Sequence, residues 1–199
     1  MSLTEAQQEI MRPVFESQMP KDEKITYTIS FEPMAADDAP VIITQNEFMR
    51  RMKEMAKVGG GGMSQFYGQM PDNFTIAVNG NHPIVIDILG KVESEYGDKL
   101  KTTTKKIDAA VAEERRFEET VKNKKEEDFT PEEKQMREEL SKKVVMLRDE
   151  RNERLKEIGK HNKLVRQIIG LALLSNGMLK GKNLSDFIQR SISLIGQKE

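Results

Sequence analysis

The charged segment between Lys91 and Lys160 restricts the fold of this chain more than any other feature. It contains 19 basic and 19 acidic residues, so 38 of its 70 side chains are charged. Charged side chains are rarely buried without a partner, and a segment with so few apolar residues cannot enclose a core of its own. We therefore expect solvated helices here, and the hydrophobic core must come from the residues that flank this segment.

Helix signals within this segment predict two long helices. Thr130, Pro131 and the acids that follow are typical of a helix start, because a first-turn proline needs no amide partner and acids favour the positive end of the helix dipole. From Met136 to Ile158, apolar residues recur at spacings of three, four and eight, and a thinner apolar stripe lies upstream. We predict that residues 91–159 form an inserted charged helical hairpin.

The flanking residues 1–90 and 160–199 contain three strand patterns. Residues 25–31 alternate apolar and polar side chains without a fault, which is the pattern of a half-buried strand. Shorter strands are predicted at 41–43 and 74–78. Three strands with intervening helices predict an α+β fold for the flanking domain, in which a small three-stranded sheet is covered by packed helices.

Two apolar helices are predicted near the end of the chain. Residues 164–174 are apolar on nearly all sides, and a broad apolar stripe follows Asn183, which can cap the second helix. Two such helices need more partner surface than a small sheet provides, so we expect the chain to associate with a second copy. The predicted dimer interface consists of Leu164, Ile168, Leu171, Leu174, Leu184, Phe187, Ile188, Ile192 and Ile195.

Methionines are concentrated on a predicted helix that follows the second strand. Six of the 12 methionines lie between Met34 and Met70. Flexible thioethers suit surfaces that accept many partners. The alternative is that these side chains cover the sheet, as an apolar helix face usually does. The apolar face of this basic helix carries Phe48, Met49, Met52 and Met55.

Composition argues against several other functions. The chain has no cysteine, which excludes disulfides, thiolate catalysis and cysteine-based zinc sites. Its net charge is -1, and no apolar run approaches the length of a membrane span. Nothing in the sequence would complete a catalytic or metal site around His82 or His161. We expect a cytoplasmic protein with no catalytic, metal or cofactor residues that binds neither nucleic acid nor membrane, and we interpret residues 1–3 as an expression leader.

Three segments resemble the C-terminal domain of heat-shock-protein-90 chaperones. Residues 74–89 resemble the family's strand, Asn-x-x-His-Pro motif and helix, and read FTIAVNGNHPIVIDIL. The tail resembles its last two helices and reads LALLSNGMLKGKNLSDFIQRSISLI. The opening, with a Met-rich helix after it, fits in order and length and reads ITYTISFEPMAADDAPVIIT. The resemblance covers residues 1–90 and 160–199, whereas the family has only a short linker in place of residues 91–159.

The resemblance implies a homodimer closed by a four-helix bundle, to which each subunit contributes two helices. It also implies that unfolded or partly folded client proteins bind the Met-rich helix and the loop after it. In this family ATP and Mg²⁺ bind in an N-terminal domain, so this chain by itself is not expected to be an enzyme. The client-contact residues implied are Phe48, Met49, Met52, Met55, Met63, Phe66 and Met70.

A different class of function fits the charged helices. The chain could instead be a free-standing charged coiled-coil scaffold or adaptor, in which the helical hairpin is the active part. The two hypotheses differ in where two copies meet. The scaffold pairs through residues 105–158, and the chaperone domain pairs through residues 160–199.

Overall fold

The computed structural model describes residues 3–58 and 70–196, except for the side chains of Val58 and Ile195. The chain divides into two compact units. Residues 1–90 together with 156–199 form the first, here called the core unit, and residues 91–155 form the second, here called the charged unit.

The described residues form six α-helices and a three-stranded sheet, so the predicted α+β class and the three predicted strands are confirmed. A short 3-10 turn, Glu126–Asp128, lies between the third and fourth helices. In chain order the elements are α1 Glu5–Glu16, β1 Ile25–Glu32, β2 Val41–Gln45, α2 Glu47–Val58, β3 Asp72–Asn79, α3 Pro83–Val121, α4 Pro131–His161, α5 Lys163–Ser175 and α6 Gly181–Gly196.

The sheet is mixed, with β3 in the centre. It pairs in parallel with β1 and antiparallel with β2. This register aligns Ile29, Ile76 and Ile43 across the three strands, and all three are buried. Their sequence neighbours point to the opposite face because side chains alternate along a strand, which explains the apolar and polar alternation in β1.

Helix α1 packs on the apolar face of the sheet. Its start is a capping box, in which Thr4 Oγ1 accepts a hydrogen bond from the Gln7 amide and the Gln7 side chain accepts one from the Thr4 amide. Phe15 is fully buried and meets the Phe31 ring edge to face, with 6.2 Å between the ring centroids. Arg12 donates a hydrogen bond to the Ile29 carbonyl, which further attaches α1 to β1.

The loop from β3 to α3 is held by side-chain hydrogen bonds. Asn79 and Asn81 donate through their side-chain amides to the carbonyls of Ala35 and Met34, at 2.7 and 2.9 Å. His82 Nδ1 accepts a hydrogen bond from the Ile84 amide at 3.1 Å, so His82 satisfies an amide in the first turn of α3. Leu3, within the segment interpreted as a leader, is buried beside Gly80.

In the charged unit, ion pairs connect α3 with α4. Glu113 pairs with Lys143 at 2.7 Å, and Glu118 pairs with Arg137 at 2.9 Å. A higher-numbered residue of α3 meets a lower-numbered residue of α4, as antiparallel helices require. Few large apolar side chains of the charged unit are buried, and they include Leu100, Ile107, Leu140 and Val144.

Candidate interaction surfaces

Helices α5 and α6 pack closely within the core unit. Asn162 caps α5, and its Oδ1 accepts hydrogen bonds from the amides of Leu164 and Val165, each at 3.0 Å. A Cβ atom added to Gly170 would lie 2.5 Å from Cδ2 of Phe187, so the missing side chain allows this close approach. Val165, Ile169 and Leu173 are buried on the inner side of α5.

The residues predicted for the dimer interface fall into three groups. Ile168 and Phe187 are buried within the single chain, and Leu164 and Leu184 are half-buried. The side chain of Ile195 lies outside the described residues. The remaining four are exposed to solvent, namely Leu171, Leu174, Ile188 and Ile192.

These four exposed residues are large apolar side chains on two helices that pack against each other. Isolated apolar side chains are common on protein surfaces, but several large ones on two adjacent helices usually mark an interaction site. Within residues 3–58 and 70–196, no helix is both long enough and apolar enough to cross a lipid bilayer.

The second candidate surface is on α2, where the side chains of Phe48 and Met55 are exposed. Met49 and Met52 are half-buried, as is Met70 before β3. Two further residues predicted to contact clients, Met63 and Phe66, lie outside the described residues. The sequence pattern identified an apolar face on α2, and the structure leaves part of this face accessible to a partner.

Ion pairs organise the polar side of α2. Glu47 accepts hydrogen bonds from Arg50 and Arg51, which lower the pKa of its carboxyl group to about 2. The same contact with Glu47 is the main reason that the pKa of Arg50 is raised. Lys53 is largely buried and pairs with Asp72 at 2.7 Å, which connects α2 to the first residue of β3. The helical spacing of Glu47 from Arg50 and Arg51 was visible in the sequence. The pairing of Lys53 with Asp72 was not.

The two histidines serve local structure. His82 accepts a hydrogen bond from the Ile84 amide in the first turn of α3. His161 Nδ1 lies 2.8 Å from the Glu157 carbonyl, one turn earlier in α4. Across the part of the chain that the structure describes, no three His, Asp or Glu residues are close enough to hold a metal ion.

Sequence reasoning missed a basic cluster where α5 meets α6. Lys163 and Arg166 are one turn apart on α5, and Arg190 of α6 lines the same cleft. The spacing of the first two residues was a signal that they share a helix face. The third residue comes from another helix, and only the packing of α5 on α6 adds it to the cluster.

The chain is similar in sequence to bacterial chaperones. It is 37% identical to the chaperone protein HtpG of Bacteroides thetaiotaomicron over 188 residues, which cover 94% of this chain and 27% of that protein. It is 36% identical to HtpG of Bacteroides fragilis strain 638R and 32% identical to HtpG of Porphyromonas gingivalis strain W83, in each case over 97% of this chain and 28% of the relative. No protein-family model and no solved structure matches the chain.

These similarities extend over nearly the whole chain. They show that the chain belongs to the heat-shock-protein-90 family of chaperones. The matched length is too great to leave out the charged unit, so these relatives contain a corresponding segment, and the expectation of only a short linker at this place is wrong for them. The chain spans only 27–28% of the length of these relatives.

Proposed function

We propose that this chain is the C-terminal dimerisation domain of an HtpG-type chaperone and that two copies associate through α5 and α6. The exposed apolar side chains of Leu171, Leu174, Ile188 and Ile192 support this proposal more directly than any other observation. They lie on the two helices that resemble the last helices of the family. In the whole chaperone, this contact would hold together two subunits whose ATP and Mg²⁺ sites lie outside this chain.

The free energy of such a contact comes from removing these side chains from water. Burying a Leu or Ile side chain contributes about 1.5–3 kcal/mol, and in a two-fold interface each residue contributes once from each subunit. A nanomolar dimer needs about 12 kcal/mol in total. A few such residues can therefore supply much of this free energy, even after the entropic cost of association.

A charge placed in this surface tests the proposal. We expect Ile188→Glu to convert a dimer into a folded monomer at micromolar concentration, because a carboxylate is costly to bury without a partner. Ile86→Glu is a matched control, since Ile86 on α3 is 49% exposed and Ile188 is 47% exposed. Sedimentation velocity of both variants gives the answer. A dimeric Ile188→Glu variant, or a monomeric Ile86→Glu variant, would place the contact elsewhere.

We further propose that α2 contacts unfolded or partly folded client proteins through Phe48 and Met55. Both side chains are exposed, and a methionine can adapt its shape to many apolar partners. If α2 acts in this way, Met55→Ser will weaken binding of a fluorescent unfolded polypeptide. Its free energy of unfolding should stay within about 1 kcal/mol of the parent chain, as is usual for surface changes.

A methionine of equal exposure serves as the control for this experiment. Met146 on α4 is 66% exposed, compared with 68% for Met55, but it belongs to the charged unit. Met146→Ser should therefore leave polypeptide binding unchanged. Equal losses in the two variants, or a large loss of stability in Met55→Ser, would contradict a specific role for α2.

The scaffold hypothesis remains the second candidate, because Met136, Val145 and Met146 are exposed apolar side chains on α4. To separate the two, residues 101–155 are replaced with a short Gly/Ser linker that rejoins the core unit. The chaperone hypothesis predicts a folded dimer with an unchanged far-ultraviolet signal per residue of the core unit. A product that folds but is monomeric would favour the charged unit as the site of association.

A further inference from the structure

Helix α2 is attached to the core unit more loosely than α1. Of its side chains from Glu47 to Lys57, none is buried, whereas α1 buries Met11, Val14 and Phe15. Elements that bury few apolar side chains open at a lower free-energy cost than the core does. Helix α2 therefore meets the first requirement for a part of the fold that can open.

The inner face of α2 is the part that opening would expose. Lys53 lies four residues after Met49 and three before Ala56, so these three side chains share one face of the helix. All three are half-buried, whereas Phe48 and Met55 on the other side of the helix are exposed. Part of the apolar surface of α2 is therefore covered.

One ion pair joins this inner face to the sheet. Lys53 Nζ donates to Oδ1 of Asp72 at 2.7 Å, and the lysine side chain is only 15% exposed. The amide of Asp72 donates to the Lys24 carbonyl at 2.7 Å, and its Oδ1 also accepts from Gln45 Nε2 at 3.3 Å. The pair therefore connects α2 to an acceptor that the sheet holds in place.

The rest of α2 can stay helical without the sheet. Arg50 pairs with Glu47 at 2.7 Å and with Glu54 at 2.6 Å. Arg51 pairs with Glu47 at 2.8 Å, and Asn46 caps the start of the helix through its side chain. Ion pairs at these spacings stabilise a helix that has no tertiary contacts. Helix α2 can therefore open as one unit rather than unfold.

We propose that the ion pair between Lys53 and Asp72 is an autoinhibitory contact that limits client binding by α2. While the pair is formed, α2 lies on the sheet and offers Phe48 and Met55 to clients. When the pair breaks, α2 moves off the sheet and Met49 joins this surface. This role rests on the client contact proposed above for α2, and it means that an unfolded polypeptide selects the open position.

The first measurement follows the position of α2 without any client. The 199-residue chain has no cysteine, so spin labels can be attached at Lys57→Cys on α2 and Thr28→Cys on β1, both exposed positions. Electron paramagnetic resonance then gives the distances between the labels and the population at each distance. Asp72→Asn and Lys53→Gln should each raise the population at the longer distance about two- to fivefold, the range for a surface ion pair.

The second measurement is the affinity for a fluorescent unfolded polypeptide. Asp72→Asn should tighten it by up to the same factor, since affinity follows the population of the binding-competent state. A short bifunctional thiol reagent that joins Lys53→Cys to Asp72→Cys should instead weaken binding, because it keeps α2 on the sheet. Asp37→Asn is the matched control. It removes one negative charge from an exposed loop of the same unit and should change neither measurement.

Three results would overturn the proposal. They are an unchanged distance distribution in Asp72→Asn and Lys53→Gln, a shifted distribution without tighter polypeptide binding, and an equal shift in Asp37→Asn. If Asp72→Asn fails to fold, Lys53→Gln gives the answer. The client contact itself is tested by Met55→Ser, whereas the label distances need no client, so the failures of the two proposals are distinguishable.

Discussion

In the core unit, Met11, Phe15 and Ile76 have no exposed surface and lie among other apolar side chains, whereas the charged unit buries apolar residues only at intervals along two helices. Between Ile107 and Val121 of α3, for example, Ala110 is the buried hydrophobic residue. Ion pairs such as that between Glu113 and Lys143 supplement this narrow seam.

The two units therefore depend on different interactions. Burial of apolar surface is insensitive to moderate salt, while pairs of exposed charges are screened within about 10 Å at 0.1 M ionic strength. The core unit should therefore respond most to lost volume. The charged unit should respond both to a single lost contact in its seam and to ionic strength.

The largest expected effect is from a cavity in the core unit. Ile43→Ala should lower the free energy of unfolding by about 2–5 kcal/mol, because Ile43 is buried beside Ile76 in the sheet. Ile42 precedes it on β2 and is exposed, so Ile42→Ala should cost much less. Urea denaturation measures both variants. Equal losses would mean that β2 is not covered by the core as described.

A smaller loss of stability is expected from a cavity in the charged unit. Val144→Ala removes two buried methyl groups, which are worth about 0.8 kcal/mol each. The loss should appear as faster hydrogen exchange at amides of residues 91–155. The neighbouring Val145 is exposed and provides the control. Faster exchange in Val145→Ala than in Val144→Ala would show that α4 presents a different face to α3.

The third effect is electrostatic and smaller again. Lys143→Ala removes the ion pair with Glu113, and both side chains are about half exposed, so the loss should be about 0–1 kcal/mol at low salt. At high salt the difference from the parent chain should vanish. Lys134→Ala is the control, since Lys134 has no ion-pair partner among the described residues. A loss that persists in high salt would point to packing by the lysine stem instead.

The smallest effect concerns the titration of one exposed carboxyl group. The pKa of Glu47 is lowered to about 2, chiefly by its hydrogen bond from Arg50. Because the folded-state pKa lies below the ordinary value of 4.5, its contribution to α2 is present above that pH and is lost as the pH falls toward 2. Carboxyl resonances measured against pH should give a midpoint near 2, and Arg50→Gln should raise it. A normal midpoint in the parent chain would contradict the ion pair.

Much of the local structure could be predicted because its causes are local. The capping boxes at Thr4 and Thr130 each join residues three apart, and both are present. The alternation in residues 25–31 likewise identified β1. One helix start was misplaced by three residues. Helix α6 begins at Gly181 rather than after Asn183, whereas Asn46 caps the start of α2 and accepts a hydrogen bond from the Met49 amide.

The candidate sites were predictable only as apolar faces. The stripe on α6 included Phe187 and Ile188 alike, but Phe187 is buried against Gly170 and Ile188 is exposed. Both have the same periodicity along the helix, so no pattern within α6 distinguishes them. On α2, the same limit applies to Met52, which is half-buried, and Met55, which is exposed.

Local sequence patterns were enough to predict most helices and strands, the segment that is too charged to have a core, and the helix faces that are apolar. These properties depend on residues within a few positions of each other along the chain. Local patterns could not predict that β3 lies between β1 and β2, or that Arg190 of α6 lies beside Lys163 and Arg166 of α5. Such arrangements depend on which distant surfaces cover one another, and the packing of the whole core unit selects them.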